Sequence, residues 1–343
     1  MMAKLIIGGA GFIGCNIANY HLKNGERIII FDNLCRKGAA HNLKWLRSLY
    51  KKNVVFIKGD IRRDNKKLLD AINGADSVYH MAAQVAVTTS VANPRDDFEN
   101  NLLGTFNVLE AVRKSKSNPP LIFASTNKVY GSLSDYKCIE KSSRYELPDF
   151  PKGIGENIQL DFHSPYGCSK GGADQYVRDY ARIYNLKTVV FRQSCIYGYR
   201  QFGIEDQGWV AWFIIAALFK KPITIYGTGK QVRDILFIDD LIEAFQLALT
   251  NIKKTSGEVY NIGGGHKNTL SLLELILILE KFLGHKISYS FSDSRLGDQY
   301  VFVSDVRKAT RDFGWYPETN INEGILKLFN WVKDNKRLFR NVV

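Results

Sequence analysis

The chain has 343 residues, of which 45% are hydrophobic and 24% charged, the balance of a globular protein able to bury one large core or two connected ones. Its apolar runs are too short to span a bilayer, and its five scattered cysteines (Cys15, Cys35, Cys138, Cys168, Cys195) form neither a disulfide framework nor a zinc site. The net charge of +13 is dispersed over pairs such as Lys51-Lys52, Lys66-Lys67 and Lys220-Lys221; this favours solvated faces and phosphate-bearing ligands over nucleic acid.

The start, Met1-Met2-Ala3-Lys4, leads directly into a strand-like run, so a cytoplasmic protein without a signal peptide is expected. Lys4-Leu5-Ile6-Ile7 has the texture of a buried parallel strand. Gly8-Gly9-Ala10-Gly11-Phe12-Ile13-Gly14 follows, then a helical stretch over 15–23. A second apolar run, Arg27-Ile28-Ile29-Ile30-Phe31, ends in Asp32. Strand, glycine turn, helix and acid-tipped strand make the pattern of a dinucleotide-binding unit. The glycines let the backbone turn tightly and approach a pyrophosphate seated on the helix start. Asp32 lies 18 residues beyond Gly14 (32 − 14), near the spacing of a carboxylate that binds ribose hydroxyls. Gly8, Gly11, Phe12, Ile13, Gly14, Asp32 and Asn33 are therefore the expected start of a cofactor site. Asp32 favours NAD over NADP, although Arg36 and Lys37 could neutralise a 2′-phosphate.

The alternation continues with strand-like runs at 54–57, 77–81, 121–124 and 188–191 and helical runs near 39–50, 65–73, 95–115 and 165–185. It predicts an α/β fold with a doubly wound parallel sheet and ligands at the carboxyl ends of the strands. Asp60-Ile61, Ala82-Ala83-Gln84 and Ser125-Thr126-Asn127 follow those strands and should line the crevice. In Ser164-Pro165-Tyr166-Gly167-Cys168-Ser169-Lys170, Tyr166 and Lys170 are four apart and share a face if helical. A nearby ammonium should lower the Tyr166 pKa from about 10 and make it a general base. An exposed Tyr and Lys on an ordinary helix would show the same spacing. Beyond about residue 193 loops lengthen and the alternation becomes irregular. The expected organisation is a dinucleotide-binding domain over 1–192, with a returning segment at about 235–262, and a smaller substrate-binding region over 193–234 and 263–343.

Together these segments resemble the extended short-chain dehydrogenase/reductase family that acts on nucleotide-sugars, over nearly the whole chain. The likeness rests on the glycine motif (8–14), Asp32-Asn33-Leu34, Gly59-Asp60-Ile61, His80-Met81-Ala82-Ala83, Asn101-Leu102-Leu103-Gly104-Thr105, Ser125-Thr126 with Val129-Tyr130-Gly131, Tyr166 with Lys170, and Val232-Arg233-Asp234. It implies a Rossmann domain binding NAD, with Asn101 and Ser125 added to the cofactor residues. Tyr166 would be the base, Lys170 would hold the nicotinamide ribose, and Thr126 would hydrogen-bond the reacting oxygen. Gln84, Asn127, Ser194 and Cys195 would join Thr126 at the substrate. Arg233 and Arg295 would grip its diphosphate, and Asp298 a nucleoside ribose; surface ion pairs are the alternative for these last three.

Two departures narrow the reaction. Dehydratases of the family carry Asp-Glu after the catalytic Thr, where this chain has Asn127-Lys128, so elimination of water is not expected. The usual Phe-Asn of "RYFNVYG" is Ser194-Cys195, which changes substrate placement. Stretches at 32–39, 84–90, 125–131, 159–166 and 206–210 resemble the branch of the family that inverts C2 of CDP-linked sugars such as paratose and tyvelose. That branch implies a transient keto-sugar. The rival expectations are a 4-epimerase of UDP- or GDP-sugars, a non-catalytic NAD sensor or scaffold, and a net dehydrogenase. The segment 132–161 could be a lid or a tolerated surface insertion. The family likeness also implies a homodimer or homotetramer through 95–115 and 165–185.

Overall fold

In the computed structural model, which describes residues 2–295 and 297–340, the first apolar run forms β1 (Ala3–Ile7), and the glycine turn enters α1 (Phe12–Lys23). Positions 1, 296 and 341–343, which the expected domain spans include, lie outside the described residues. The alternation then gives β2 (Ile28–Asp32), α2 (Ala39–Leu49), β3 (Val54–Lys58), α3 (Asn65–Asn73) and β4 (Ala75–His80). Two short helices, α4 (Val87–Ala92) and α5 (Pro94–Phe98), precede a π-helical turn (Glu99–Leu103) and α6 (Gly104–Lys114). The single helical run expected near 95–115 is thus three pieces. Next come β5 (Leu121–Thr126), a 3₁₀ turn (Asn127–Tyr130), the hairpin β6 (Ile139–Glu140) and β7 (Tyr145–Glu146), α7 (Ser164–Tyr184) and β8 (Thr188–Gln193).

Seven strands form a wholly parallel sheet. Its order places β3, β2 and β1 beside β4, β5 and β8, with β12 (Val259–Ile262) at the far edge. Leu5, Ile6 and Ile7 are fully buried because helices cover both faces. Ile17, Ala18 and Leu22 of α1 and Leu43 and Leu46 of α2 pack on one face. Leu68 of α3, Val108 of α6 and Val177 of α7 pack on the other. Strand order reverses at β1, and a crevice opens there at the carboxyl ends of the strands.

The remaining strands build smaller sheets. β9 (Cys195–Tyr197) precedes α8 (Trp209–Leu218), β10 (Ile223–Tyr226) and β11 (Val232–Phe237). Of the segment 235–262, β11 pairs outside the large sheet, α9 (Ile238–Thr250) packs on α1, the short α10 (Ile252–Thr255) follows, and β12 joins the large sheet beside β8. β11 pairs with β9, with β13 (Thr269–Ser271) and with β15 (Val301–Phe302). Between β13 and β15 lie α11 (Leu272–Leu283) and β14 (Tyr289–Ser292), the latter paired with β10. α12 (Arg307–Phe313), α13 (Ile321–Asp334) and a 3₁₀ turn (Lys336–Phe339) close the described chain. The segment 132–161 is anchored: Leu133 and Ile154 join Val129, Tyr130 and Phe302 in a small core of their own.

Candidate active site

The first part of the site is backbone. Gly8 has φ +81°, and a Cβ there would lie 2.6 Å from the Ala82 nitrogen; a Cβ on Gly14 would lie 2.3 Å from the Gly8 carbonyl. These two approaches require glycine. α1 starts from Gly11 with no side-chain cap and no acid in its first turn, so its N–H groups remain free for an anion. A cavity of about 360 Å³ opens above it, lined by Gly8, Gly11, Phe12, Ile13, Gly14, Asp32, Asn33, Asp60, Ile61, Ala82 and Ala83. Eleven residues expected at the cofactor from sequence thus meet in one place.

Asp32 is poised by the backbone: Oδ2 accepts from the Ala10 N–H (3.0 Å) and Oδ1 from the Leu34 N–H (2.7 Å). Burial nevertheless pushes its pKa above the ordinary value. Asp60 is gripped by Arg62, whose Nε and Nη2 donate at 3.0 and 2.8 Å, and this holds its carboxyl far below the usual range. The far wall of the cavity includes Arg200–Ile204 and Gln207. No local motif marks these residues. Folding seats them there through two amides: Asn16 donates to the Tyr199 carbonyl (2.8 Å), and Asn42 donates to the carbonyls of Ala10 and Arg200 (3.2 and 3.3 Å). Arg36 crosses to Gln207 Oε1 (2.8 Å), so its guanidinium spans the crevice mouth.

The second part is made of side chains. Tyr166, Lys170 and Thr126 are all buried, and α7 places the first two one turn apart. The expectation of an exposed pair on an ordinary helix is excluded. The expected pKa shift is not met. Burial pushes the Tyr166 phenol up to about 12; its hydrogen bond to Thr126 and the charge of Arg36 oppose this, and Asp97 adds to it. Lys170 does not offset this; its Nζ donates to the Ala124 carbonyl (2.5 Å) and sits 4.2 Å over the Phe123 ring. Burial lowers the Lys170 pKa itself to about 7, against the raising influence of Asp174 and Asp97. In a dry site desolvation outweighs a cation turned toward a carbonyl.

Other expected residues support this centre from behind. Asn101, in the π-helical turn, accepts from the Gln84 N–H (2.9 Å) and donates to Asp97 and Ser169 (3.0 and 3.2 Å). It ties the loop after β4 to α7. The Gln84 side chain is closed on Ala86, donating to its carbonyl at 2.7 Å. Ser125 donates to Asp174 (2.7 Å), which is paired with Arg192 in a fully buried bridge. Neither side chain is among those lining the cavity.

Toward the C-terminal sheets, Arg233 is buried and its Nη2 donates to Asp298 Oδ1 (2.6 Å). Asn127 donates to Gln299 Oε1 (3.4 Å). Arg295 lies apart from this pair: it contacts Asp206 (2.9 Å) and the Glu205 carbonyl (3.1 Å) and stacks 4.0 Å over Tyr226. Ser194 is committed to Asp234, and the Cys195 sulfur accepts from Trp209 Nε1 (3.3 Å). Burial raises the Cys195 pKa, which leaves it a neutral thiol. Lys128, considered from sequence only as a missing acid, also enters this cluster.

A doubly wound sheet, a glycine cradle and a Tyr–Lys helix with a Thr facing it define the class. The chain belongs to the NAD-dependent epimerase/dehydratase family of extended short-chain dehydrogenases/reductases: the family model described as GDP-mannose 4,6 dehydratase matches residues 5–328. Within it the chain is a nucleotide-sugar epimerase homologue, 50% identical over 337 residues to the CDP-paratose 2-epimerase of Salmonella typhi, covering 96% of this chain and 99% of that protein. Among solved structures it is similar to the UDP-glucuronic acid 4-epimerase of Bacillus cereus in complex with UDP-glucuronic acid and NAD, with TM-score 0.82, 30% identity, and 97% of this chain and all of that one covered. It is also similar to the dTDP-glucose 4,6-dehydratase of Streptomyces venezuelae with NAD bound, with TM-score 0.84, 27% identity and both chains covered in full.

Proposed function

We propose that this protein inverts C2 of a CDP-linked sugar of the paratose and tyvelose type, with NAD retained through the cycle. The observation that carries the reading is the 50% identity to a CDP-paratose 2-epimerase along nearly the entire chain, with Thr126, Tyr166 and Lys170 all buried. The glycine cradle, the uncapped α1 start and Asp32 fit the pyrophosphate and adenosine ribose of NAD.

A sugar C–H beside a hydroxyl, with no neighbouring carbonyl, is not acidic enough for a protein base to remove. Bound NAD would supply a reversible hydride acceptor for C2, which allows inversion through a ketone. Tyr166 accepts the C2 hydroxyl proton and gives it back after the sugar has turned its other face. Thr126 holds the reacting oxygen through both steps, and Lys170 positions the nicotinamide ribose. To act as the base, the Tyr166 phenol must ionise more readily than its burial alone allows, and a positive charge brought by bound NAD would favour that ionisation. Arg233 holds the diphosphate while the sugar turns, retaining the intermediate.

Asn127 and Lys128 stand where dehydratases have acids, which disfavours loss of water. The five free cysteines suit a reducing compartment, in keeping with a cytoplasmic enzyme. The surface for pairing two copies is the end of α5, the turn after it, α6 and α7, where Phe98, Leu103, Phe106, Tyr176, Ile183 and Tyr184 are exposed. Light scattering should find a dimer or tetramer.

The deciding experiment is NMR of products from a panel of CDP-, UDP- and GDP-sugars, with mass spectrometry of nucleotides carried by the purified protein. Inversion at C2 of the CDP-sugar with NAD recovered intact is expected. Inversion at C4 of a UDP- or GDP-sugar would replace the reading with its nearest rival. NADH accumulating in proportion to substrate would make the enzyme a net dehydrogenase.

A further inference from the structure

Lys128 has no part in the mechanism above, yet the fold delivers its ammonium to the substrate side of the site. It lies two residues beyond Thr126 in the 3₁₀ turn, and its backbone N–H donates to the Thr126 hydroxyl oxygen (3.2 Å). Its Nζ reaches the Gly297 carbonyl (3.3 Å) and Asp298 Oδ1 (3.5 Å). Arg233 Nη2 donates to that same oxygen (2.6 Å). Two cations therefore share one carboxylate oxygen, with the Arg233 side chain 9% exposed, that of Lys128 19% and that of Asp298 33%.

One carboxylate cannot neutralise two cations, and the net positive charge left on this partly buried cluster favours a further anion. The charges act on each other as this predicts. Burial and the nearby Arg233 lower the Lys128 pKa, with Asp298 opposing. Burial alone would raise the Asp298 pKa, but Arg233 and Lys128 hold it below the ordinary carboxylate value. A diphosphate would relieve the strain on both cations and leave Asp298 available to a ribose hydroxyl.

We propose that Lys128 is a substrate-binding residue that holds the sugar-side phosphate of the nucleotide diphosphate together with Arg233, and that this selects C2 as the reacting carbon. The selection follows from covalent geometry. C2 is vicinal to the anomeric carbon that bears the diphosphate, whereas C4 lies across the ring. Thr126 and Lys128 are anchored two residues apart on one short turn, and this role requires that the oxygen held by the first and the phosphate held by the second lie on neighbouring parts of the substrate. A C2 hydroxyl meets that condition with the sugar in the site.

This rests on the nucleotide-sugar reading, and the experiment separates the two. Dissociation constants for cytidine, CMP and CDP are measured by calorimetry on the NAD-loaded wild type, Lys128→Met and Lys128→Arg. Lys128→Met should weaken CDP roughly 30-fold, the low end of the loss for truncating one partner of a buried charge pair. It should leave cytidine binding and NAD content unchanged, and Lys128→Arg should recover part of the CDP affinity because it keeps the cation. Equal CDP affinity in wild type and Lys128→Met overturns the proposal, as does an equal loss of cytidine and CDP, which would reveal only a disturbed 297–299 loop. If the wild type ignores CDP but binds UDP or GDP, the CDP reading fails while the same comparison with that diphosphate decides the role of Lys128. A wild type with no affinity for any of the three overturns both.

Discussion

The two halves of the crevice are built differently. On the cofactor side the shape comes from backbone: Gly8 and Gly14 permit close approach, and the start of α1 offers unpaired N–H groups. On the proposed substrate side it comes from charged and hydroxyl side chains converging from distant segments. Lys128 meets Asp298 across 170 positions, and Arg233 meets it across 65. A backbone cradle tolerates almost any change except added bulk, whereas a charge cluster tolerates bulk but not loss of a charge.

The comparison is sharpened most by Tyr166→Phe. Turnover should fall about 10²- to 10⁴-fold, the contribution of a positioned acid–base group, while NAD content and CDP affinity stay at wild-type levels. Near-normal turnover in a folded, NAD-loaded variant would remove the phenol from the mechanism. Second in size is the bridge behind the reacting centre. Asp174→Ala strands Arg192 as a buried unpaired cation and should cost about 3–5 kcal/mol of stability, read as a lower melting temperature and denaturant midpoint. A loss below about 1 kcal/mol would mean that water reaches Arg192.

Gly8→Ala is the converse of Tyr166→Phe. The added methyl meets the Ala82 backbone in a left-handed conformation, a strain of about 1–3 kcal/mol. NAD retention should drop while CDP binding survives; loss of both together would erase the distinction between the halves.

The smallest effect is electrostatic. In the folded NAD-free protein Lys170 releases its proton near 7, against an ordinary value of 10.5. Between those values the unfolded chain binds more protons than the folded one, so stability rises with pH across that window. Below it both states are protonated and the full burial cost remains. Lys170→Met should therefore be more stable than wild type below about pH 7, and the gap should narrow as pH rises toward 10.5. A gap independent of pH would show that the ammonium is not desolvated.

Much of the cofactor half was legible in the chain because its determinants are contiguous. Eleven expected residues from Gly8 to Ala83 line a single cavity, since a strand–turn–helix unit carries its own geometry. The wall at Arg200–Gln207 was not legible: it arrives through the Asn16 and Asn42 amides, which pair with backbone carbonyls that no local pattern names. The environment of Tyr166 was misread for a related reason. Spacing on a helix says that two side chains share a face, but the carbonyl of Ala124 decides where the ammonium goes, and burial decides the sign of the pKa shift.

By itself the sequence determined the elements, the parallel sheet and the glycine cradle, because period, glycine and β-branched texture act over a few residues at a time. Only the tertiary structure decided which charges meet: that Arg233 and Lys128 share Asp298 while Arg295 turns to Asp206 and Tyr226. Coulombic attraction and desolvation depend on distance and on access of water, and both quantities come into being when the chain folds.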